Sequence, residues 1–592
     1  MHPTFYANAA GARVRAMLVI PVGGCGEFGK NMTAYVAHGV LLLADCGIQM
    51  PDDLMPGLEH ALPDFDAVVS RYGEPTALFL THGHEDHIGA VGYLLRHVGR
   101  AVPVYGRPLT LRLCERRMDK LGIPSRLRDL RSFAVNQPLG FDESGPCEPE
   151  PASCRVTPLA MPHSIPEACA LLIEASGPPV VRVLHTGDFK LDEMGEFAWA
   201  ELQRQPVDAV VGDSTNAQVP GRTPAERSAT QALGALLSDP QRRGRIVIAL
   251  FSSHLERIAG LATACQRAGR KLCLVGRGLH DAIGAASRAG LPSLPAEVMV
   301  SADQAAALPP GKVVLVCTGT QGERVAALSR LAAAVDRHEP AAFGGLRLSA
   351  GDTVVLAARV IPGHERPVGR LLDRLVRANI EVLQGAPYAV SGHGSQDDLR
   401  ALMRAARPRV VVPVHGTPRQ IYAHAALAEE LGIPALRPQN GDVISLDQHI
   451  AITDNIEPVP VYVDGFTVGE AGGDTLRARQ RLSYTGVVVV AADPLAVPKL
   501  LVRAVGVRDP GPGLNQLCAE AATQAAAALR AALGETPRAW LPLPEDAVRA
   551  VTRAVRGVFY RRRGQKPNVV AILPGAELRY DEEPDTVDSV AD

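Results

Sequence analysis

Thr81-His82-Gly83-His84-Glu85-Asp86-His87-Ile88-Gly89-Ala90 is the segment on which the fold and the chemistry turn. It places His82, His84, Asp86 and His87 within six residues of a chain that holds 17 histidines in 592 positions. Chance clustering of that density is rare. The segment follows an apolar run, Ala77–Leu80, that reads as a buried strand, and precedes a helical pattern over Ala90–Val98. A loop at a strand end is exposed while its scaffold stays rigid, which suits a site. Imidazoles with one carboxylate are borderline ligands that fit zinc or manganese. His82 and His84 alternate along an extended segment and can point to one cation. Asp86 and His87 lie at the turn and can point to another.

A pair of cations needs further ligands, at other strand ends. His163 follows the run Val156–Met161 in Met161-Pro-His-Ser-Ile-Pro166. Asp188 follows Val180–Leu184 in His185-Thr-Gly-Asp188, and His415 follows Arg409–Val412 in Pro413-Val-His-Gly416. Taken singly, each reads equally well as a polar turn residue; beside the histidine segment they read as ligands. A carboxylate can bridge two cations, and Asp188 is the natural bridge. Asp45, at the end of Val40–Ala44, is placed to orient a ligand histidine from behind.

Outward from these motifs the chain alternates short apolar runs with helical patterns, the mark of layered α/β architecture. Met17–Val22, Met32–Val36, Val40–Leu43 and Ala209–Val211 read as strands, and Pro108–Leu121 as a helix. Residues 141–157, rich in proline and acid, read as a surface excursion. Arg245–Leu250, Lys271–Val275, Lys312–Cys317 and Thr353–Ala357 read as the strands of a second α/β domain. A third region, from about residue 466, holds a strand at Gly486–Ala491, helices around Gly513–Leu533 and Glu545–Arg561, and a strand at Asn568–Leu573. The acidic tail 581–592 has little to pack and is expected to be disordered.

Composition bounds the rest. A length of 592 residues implies several domains, and 46% hydrophobic with 21% charged residues is ordinary globular usage. The net charge of −2 gives no global attraction to nucleic acid, although a local basic groove is compatible with it. Ten cysteines without a C-x-x-C pair form neither a zinc ribbon nor a disulfide framework and suit a reducing compartment. With no secretion-like leader and no apolar run of about 20 residues, the expected location is the cytoplasm, away from membranes.

In this order, Asp45, the H-x-H-x-D-H segment, His163, Asp188 and His415 resemble the motif series of the metallo-β-lactamase superfamily. Gly212-Asp-Ser-Thr-Asn-Ala217 resembles the acidic motif that opens the inserted domain of its β-CASP nucleases, and Ser391-Gly-His-Gly-Ser-Gln396 the histidine motif that closes it. Gly23–Asn31, Thr318–Glu323, Ile361–Glu365 and the C-terminal stretches Arg477–Val489 and Val558–Arg561 are similar to bacterial ribonuclease J. The resemblance runs over about residues 17 to 580. It departs at Thr417-Pro-Arg419, where Glu-Tyr-Arg is usual, and at His254 and His364, where asparagine is usual.

The resemblance implies an αββα metallo-β-lactamase sandwich (1–219 and 386–452) with an inserted β-CASP α/β domain (220–385). A linker (453–465) and a small α/β C-terminal domain (466–580) that supports assembly would follow. It implies two divalent cations, zinc foremost, with manganese or magnesium as alternatives. His82, His84 and His163 would hold one, and Asp86, His87 and His415 the other, with Asp188 between. The catalytic set would be Asp86, His393 and Asp213, with Asp213 holding the His393 imidazole as a proton donor to the leaving oxygen; His393 can instead merely bind phosphate. Ser391, Gly392, His393, Gly394 and Ser395 would cradle a 5′ phosphate, with Ser253 and His254 also on the substrate. The implied reaction is hydrolysis of RNA, by 5′→3′ exonuclease and endonuclease action in RNA maturation and decay. The partners implied are RNA and further copies in a homodimer or homotetramer, or a paralogue in a hetero-oligomer. Two other readings stay open: a β-CASP nuclease acting on DNA, and a weakly catalytic RNA-binding subunit. The arginine-rich runs Ser125–Arg131 and Arg561–Arg563 read best as solvated faces.

Overall fold

The computed structural model of the protein describes residues 17–51, 55–191, 196–336, 343–361, 364–465, 467–469, 473–492, 500–507, 513–533, 545–564 and 566–573. The N-terminal residues read as free of a leader and the acidic tail 581–592 lie outside the described residues. The chain forms two compact units, one of residues up to Met50 with His60–Val461, the other of Pro51–Glu59 with Tyr462–Asp592.

Two sheets pack face to face in the first unit. One has eight strands in the order Ala451–Asn455, Asp442–Leu446, Met17–Gly23, Met32–Ala37, Val40–Ala44, Ala77–Phe79, Val102–Gly106, Arg128–Ser132. The other has seven, in the order Val410–Val414, Ala209–Asp213, Val181–His185, Cys169–Ala175, Cys154–Ala160, Leu139–Asp142, Gly145–Cys147. Side chains alternate between the faces of a strand. Thus Tyr35, Leu42 and Phe79 meet Phe141, Val156, Leu171, Val183 and Val211 in the core between the sheets. The neighbours Leu172, Leu184, Val210 and Val411 point the other way, under Leu399, Leu402 and Leu427 of two covering helices. Strands buried on both faces must be apolar along their whole length, which is why they read as unbroken hydrophobic runs. The helix Pro108–Lys120 covers the outer face of the first sheet near Val102–Gly106 and Arg128–Ser132. The result is the αββα sandwich that the sequence implied.

The five-stranded sheet of the same unit is parallel throughout, in the order Lys271–Val275, Val313–Cys317, Ile246–Ala249, Thr353–Leu356, Glu381–Gln384. Its two faces bury separate cores, one with Val247, Cys273 and Leu315, the other with Ile248, Leu272 and Val314. The second unit holds a three-stranded sheet, Leu500–Val505, Val487–Ala492, Asn568–Ile572. One face of it packs on the helices Leu514–Leu533 and Glu545–Arg563. Among the described residues no helix is long and apolar enough to cross a membrane.

Residues 141–157 are not a surface excursion. They carry the edge strands Leu139–Asp142, Gly145–Cys147 and the start of Cys154–Ala160. Proline and acid occupy the turns, while Phe141, Cys154 and Val156 are buried. Phe141 meets Phe79 and Tyr105 edge-on, with ring centroids 5.4 and 5.7 Å apart. Truncating a buried phenylalanine leaves a cavity and costs about 3–5 kcal/mol. Phe141→Ala should therefore lower the thermal unfolding midpoint markedly in calorimetry; a midpoint equal to that of the native protein would show that the hairpin is dispensable decoration.

Candidate metal centre

Every sequence-predicted ligand stands where a strand ends at one rim of the sandwich. The segment 82–87 leaves Ala77–Phe79 and closes in the single helical turn Glu85–Ile88. That turn is stitched to the loop after Val40–Ala44 by backbone bonds from Cys46 N to His87 O (2.7 Å) and from Ile48 N to Glu85 O (3.1 Å). A Cβ on Gly47 would lie 1.6 Å from the carbonyl oxygen of Asp86, so only glycine permits this approach. Asp45, at positive φ of 61°, turns its carboxylate inward. It accepts from Thr81 N (2.8 Å), the Thr81 hydroxyl (2.8 Å) and His87 Nδ1 (2.7 Å).

The tautomers follow from the partners. The Thr81 hydroxyl gives its proton to Asp45, so it accepts from His82 Nδ1 at 3.0 Å, and His82 Nε2 is a bare lone pair. His163 Nδ1 donates to the Gly392 carbonyl at 2.8 Å, which leaves its Nε2 bare. His84 Nε2 meets Ser253 Oγ at 3.0 Å, a contact in which either group can donate. His84 Nδ1 lies 3.0 Å from His82 Nε2 and 3.3 Å from His163 Nε2. Three ring nitrogens thus converge, those of His82 and His163 bare, and Asp188 Oδ2 stands 3.7 Å from His82 Nε2. Three imidazoles with a carboxylate suit zinc.

The second group shares Asp188. His87 Nδ1 donates to Asp45, which turns Nε2 toward the second group, 3.3 Å from Asp188 Oδ2 and 3.6 Å from Asp86 Oδ2. The Thr215 hydroxyl donates to the His415 carbonyl (3.4 Å) and accepts from His415 Nδ1 (2.8 Å). His415 Nε2 then faces Asp86 Oδ2 and Asp188 Oδ1, each at 3.4 Å. Asp188 Oδ1 is buried and makes no hydrogen bond, as expected of an oxygen built to meet a cation. The sets His82, His84, His163, Asp188 and Asp86, His87, His415, Asp188 can each hold a metal ion.

The two groups differ electrostatically. Burial pushes the His82 and His163 imidazoles well below their usual range and His84 to about 4. Burial also works against protonation of His87 and His415, but carboxylates overcome it. Asp188, Asp45 and Asp86 raise His87 well above the usual range, and Asp188, Asp86 and Asp213 raise His415 to about 9.

His393 stands beside the pair. Its Nδ1 donates to Asp213 Oδ2 at 2.7 Å and lies 3.9 Å from Asp188 Oδ2. Burial opposes the charged imidazole, yet Asp213 and Asp188 raise its pKa above the usual value. The expected phosphate cradle of backbone amides does not stand ready. The amide of His393 donates to Ser391 Oγ (3.2 Å), that of Gly394 to the Phe189 carbonyl (2.5 Å) and that of Ser395 to Asp398 (3.0 Å). Ser395 caps the helix Gln396–Ala406, and its hydroxyl meets Thr223 Oγ1 at 2.8 Å. Gly392 serves by its size, since a Cβ there would meet His163 at 2.6 Å. Ser391 Oγ accepts from Asn216. His254 is buried with Nδ1 unpartnered, and its neighbour Ser253 meets His84.

Some residues that matter were not singled out from the sequence. Asn31 donates to the Asp86 carbonyl (3.0 Å) and lies 3.1 Å from His87 Nε2. Thr81 and Thr215 fix the tautomers of His82 and His415. The Tyr35 hydroxyl meets His185 Nδ1 at 2.8 Å behind Asp45. Asn31, Thr215 and His185 lie inside motifs already quoted, and their position there was the available signal. From His84 and Ser253 a cleft of about 770 Å³ runs between the sandwich and the five-stranded layer, lined by Arg116, Arg117, Lys120, Arg277 and Arg330. Two arginines of Ser125–Arg131 are engaged locally instead, Arg128 with Asp119 and Arg131 with Asp129.

Three family models match the chain in tandem: "Beta-lactamase superfamily domain" over residues 41–236, "Ribonuclease J, beta-CASP domain" over 243–375 and "Zn-dependent metallo-hydrolase RNA specificity domain" over 376–438. Ribonuclease J 1 of Streptococcus pyogenes is 32% identical, across 80% of this chain and 82% of that protein. Ribonuclease J2 of Bacillus subtilis is 32% identical, across 80% and 83%. Ribonuclease J of Sinorhizobium meliloti is 31% identical, across 95% and 98%. A crystal structure of a protein of unknown function from Enterococcus faecalis V583 shares the fold, with a TM-score of 0.51 at 16% identity, over 73% of this chain and 100% of that one. Domain order, histidine-rich rim and near-full-length similarity agree, and the chain belongs to the ribonuclease J family.

Proposed function

We propose that this chain hydrolyses RNA at two divalent cations, zinc foremost, both 5′→3′ from an end and internally, in RNA maturation and decay in the cytoplasm. Family membership makes it a metal-dependent ribonuclease. The observation that carries the two-cation reading is the convergence of ring nitrogens from His82, His84 and His163 beside an orphaned Asp188 oxygen. His82, His84, His163 and Asp188 would hold one cation, and Asp86, His87, His415 and Asp188 the other. Bound there, the cations supply positive charge against the phosphate and a water acidified toward a pKa of roughly 7.

The protein's own groups do the rest. Asp45, Thr81 and Thr215 keep the ligand nitrogens aimed into the site. Asp213 accepts from His393 Nδ1 at 2.7 Å and raises its pKa above the usual value, so that His393 is oriented and tuned to deliver a proton to the leaving oxygen, a contribution of about 10²–10⁴-fold. The cleft lined by Arg116, Arg117, Lys120, Arg277 and Arg330 receives the RNA backbone. A weakly catalytic binding subunit would have no need of a full ligand set.

His84→Ala and Asp188→Ala should each reduce bound metal and abolish RNA cleavage. Unchanged turnover in either, with zinc measured by mass spectrometry at native stoichiometry, would sink the two-cation assignment.

His393→Ala should keep the metals and lower kcat by about 10²-fold or more with KM little changed. RNA with a bridging sulfur at the leaving position needs less protonation and should recover much of the rate. Equal losses on sulfur-bridged and normal RNA would instead make His393 a phosphate ligand.

Assembly falls to the second unit. Beyond the face that packs on its helices, the sheet exposes Leu501, Val505 and Ile572. An apolar sheet face of this kind suits a second copy of the chain. Leu501→Arg with Val505→Arg should lower the mass seen by light scattering at micromolar concentration while metal content stays native. A native protein already monomeric under those conditions would contradict the assignment.

A further inference from the structure

Each imidazole around the proposed cation pair is held from behind by a partner on its other nitrogen, or by a residue that fixes its tautomer. For His82, His87, His163 and His415 those partners are Thr81, Asp45, the Gly392 carbonyl and Thr215. All four partners lie on the sandwich or the loops at its rim. His84 differs. Its Nε2 meets Ser253 Oγ at 3.0 Å, and Ser253 comes from the loop between strand Ile246–Ala249 and helix Leu255–Ala268 of the five-stranded layer.

We propose that Ser253 is a positioning residue for His84, so that the first cation position is completed only while the inserted layer is docked on the sandwich. This rests on the two-cation reading above. A ligand imidazole whose outer nitrogen loses its partner can rotate or change tautomer, and loss of such a partner weakens metal binding by about 10–100-fold. His84 is the ligand most open to this, since it sits half-exposed at the mouth of the cleft while His82, His87, His163 and His415 are buried.

The docking that carries Ser253 is itself specific. The loop is fixed by bonds from His254 N to Phe251 O (3.0 Å) and from Leu255 N to Ser253 O (2.8 Å). Leu255 then packs with Leu109 and Ile165 of the sandwich side and with Ala282, Ala285 and Ala286 of the helix Arg277–Arg288. Beside this apolar seam Arg116, on the helix Pro108–Lys120, pairs with Asp281 on the helix Arg277–Arg288. Ser252, Ser253, Arg116 and Asp281 all line the same cleft. Anything that spreads the cleft therefore pulls on the hydroxyl that aims His84, and the site is linked to cleft closure through one hydrogen bond.

The test is zinc release from the loaded full-length protein to a chromogenic chelator, followed by stopped flow, with thermal midpoints recorded for each variant. Native protein should release two zinc ions in two phases. Ser253→Ala should speed one phase about 10–100-fold and leave the other, and Ser253→Thr, which keeps a hydroxyl, should restore the slow release. Arg116→Ala should speed the same phase in the native background and add little in Ser253→Ala, because both act through one bond. In RNA cleavage Ser253→Ala should lower kcat with KM nearly kept. Native release kinetics in Ser253→Ala, equal acceleration of both phases, or full additivity with Arg116→Ala would overturn the proposal. A raised KM with unchanged release would make Ser253 an RNA contact only. A native chain that takes up no zinc at all would overturn the two-cation reading first.

Discussion

The centre depends on one buried carboxylate. Asp45 ties three things together: the backbone of Thr81, where the ligand loop begins; the hydroxyl that selects the His82 tautomer; and the outer nitrogen of His87. Burial alone would raise its pKa, but the imidazoles of His87 and His185 hold it below the usual carboxylate range. It stays charged, and a charged acceptor binds its donors about twice as strongly as a neutral one. Its left-handed backbone and the absence of a Cβ on Gly47 let the two loops close on each other. Remove that contact and the two ligand groups lose their common frame.

Charge explains why the two groups are built differently. The first gathers three imidazoles that burial keeps neutral, with one carboxylate nearby. In the second, carboxylates surround His87 and His415 and hold them protonated in the metal-free protein. A cation entering the second group must displace protons, whereas the first is already deprotonated. Asp188 serves both and is held far below the carboxylate range by His415, His87 and His393 despite its burial. One carboxylate thus reconciles a neutral set of donors with a charged one.

Much of this was legible from residue types and spacing, and the limits have physical causes. The ligand histidines stand out because polar residues rarely cluster at the ends of buried apolar strands, and Asp45 and Asp188 could be read the same way. The central strands Met17–Gly23, Met32–Ala37, Val40–Ala44, Ala209–Asp213 and Val410–Val414 were legible because burial on two faces demands continuous apolar runs, whereas Arg128–Ser132 and Ala451–Asn455, at the edges of their sheet, are polar and were not. Glu381–Gln384 was missed because it is an edge strand, half-exposed and polar at both ends. The hairpin around Phe141 was misread because its prolines and acids sit in turns while only alternate residues face the core. The tautomer-setting threonines were missed for another reason. A threonine hydroxyl carries no sequence signal until the fold shows which nitrogen it meets. In the 391–395 turn a Gly-Ser-rich loop resembles a phosphate cradle, and here the amides of His393, Gly394 and Ser395 are spent on holding the turn and starting a helix.

The insertion of one α/β layer into another would ordinarily be a matter of substrate access alone. Here it enters the metal centre. The sandwich supplies every proposed ligand, and four of the five imidazoles are also braced from within it. The fifth takes its brace from Ser253 across the cleft, with Leu255 seated on Leu109 and Ile165 only two residues away. An apolar seam gives cohesion without direction, and a hydrogen bond gives direction with little cohesion. Placing them two residues apart lets the seam hold the layer down while the hydroxyl sets one imidazole. The same few residues that close the wall of the cleft therefore also finish the site at its floor.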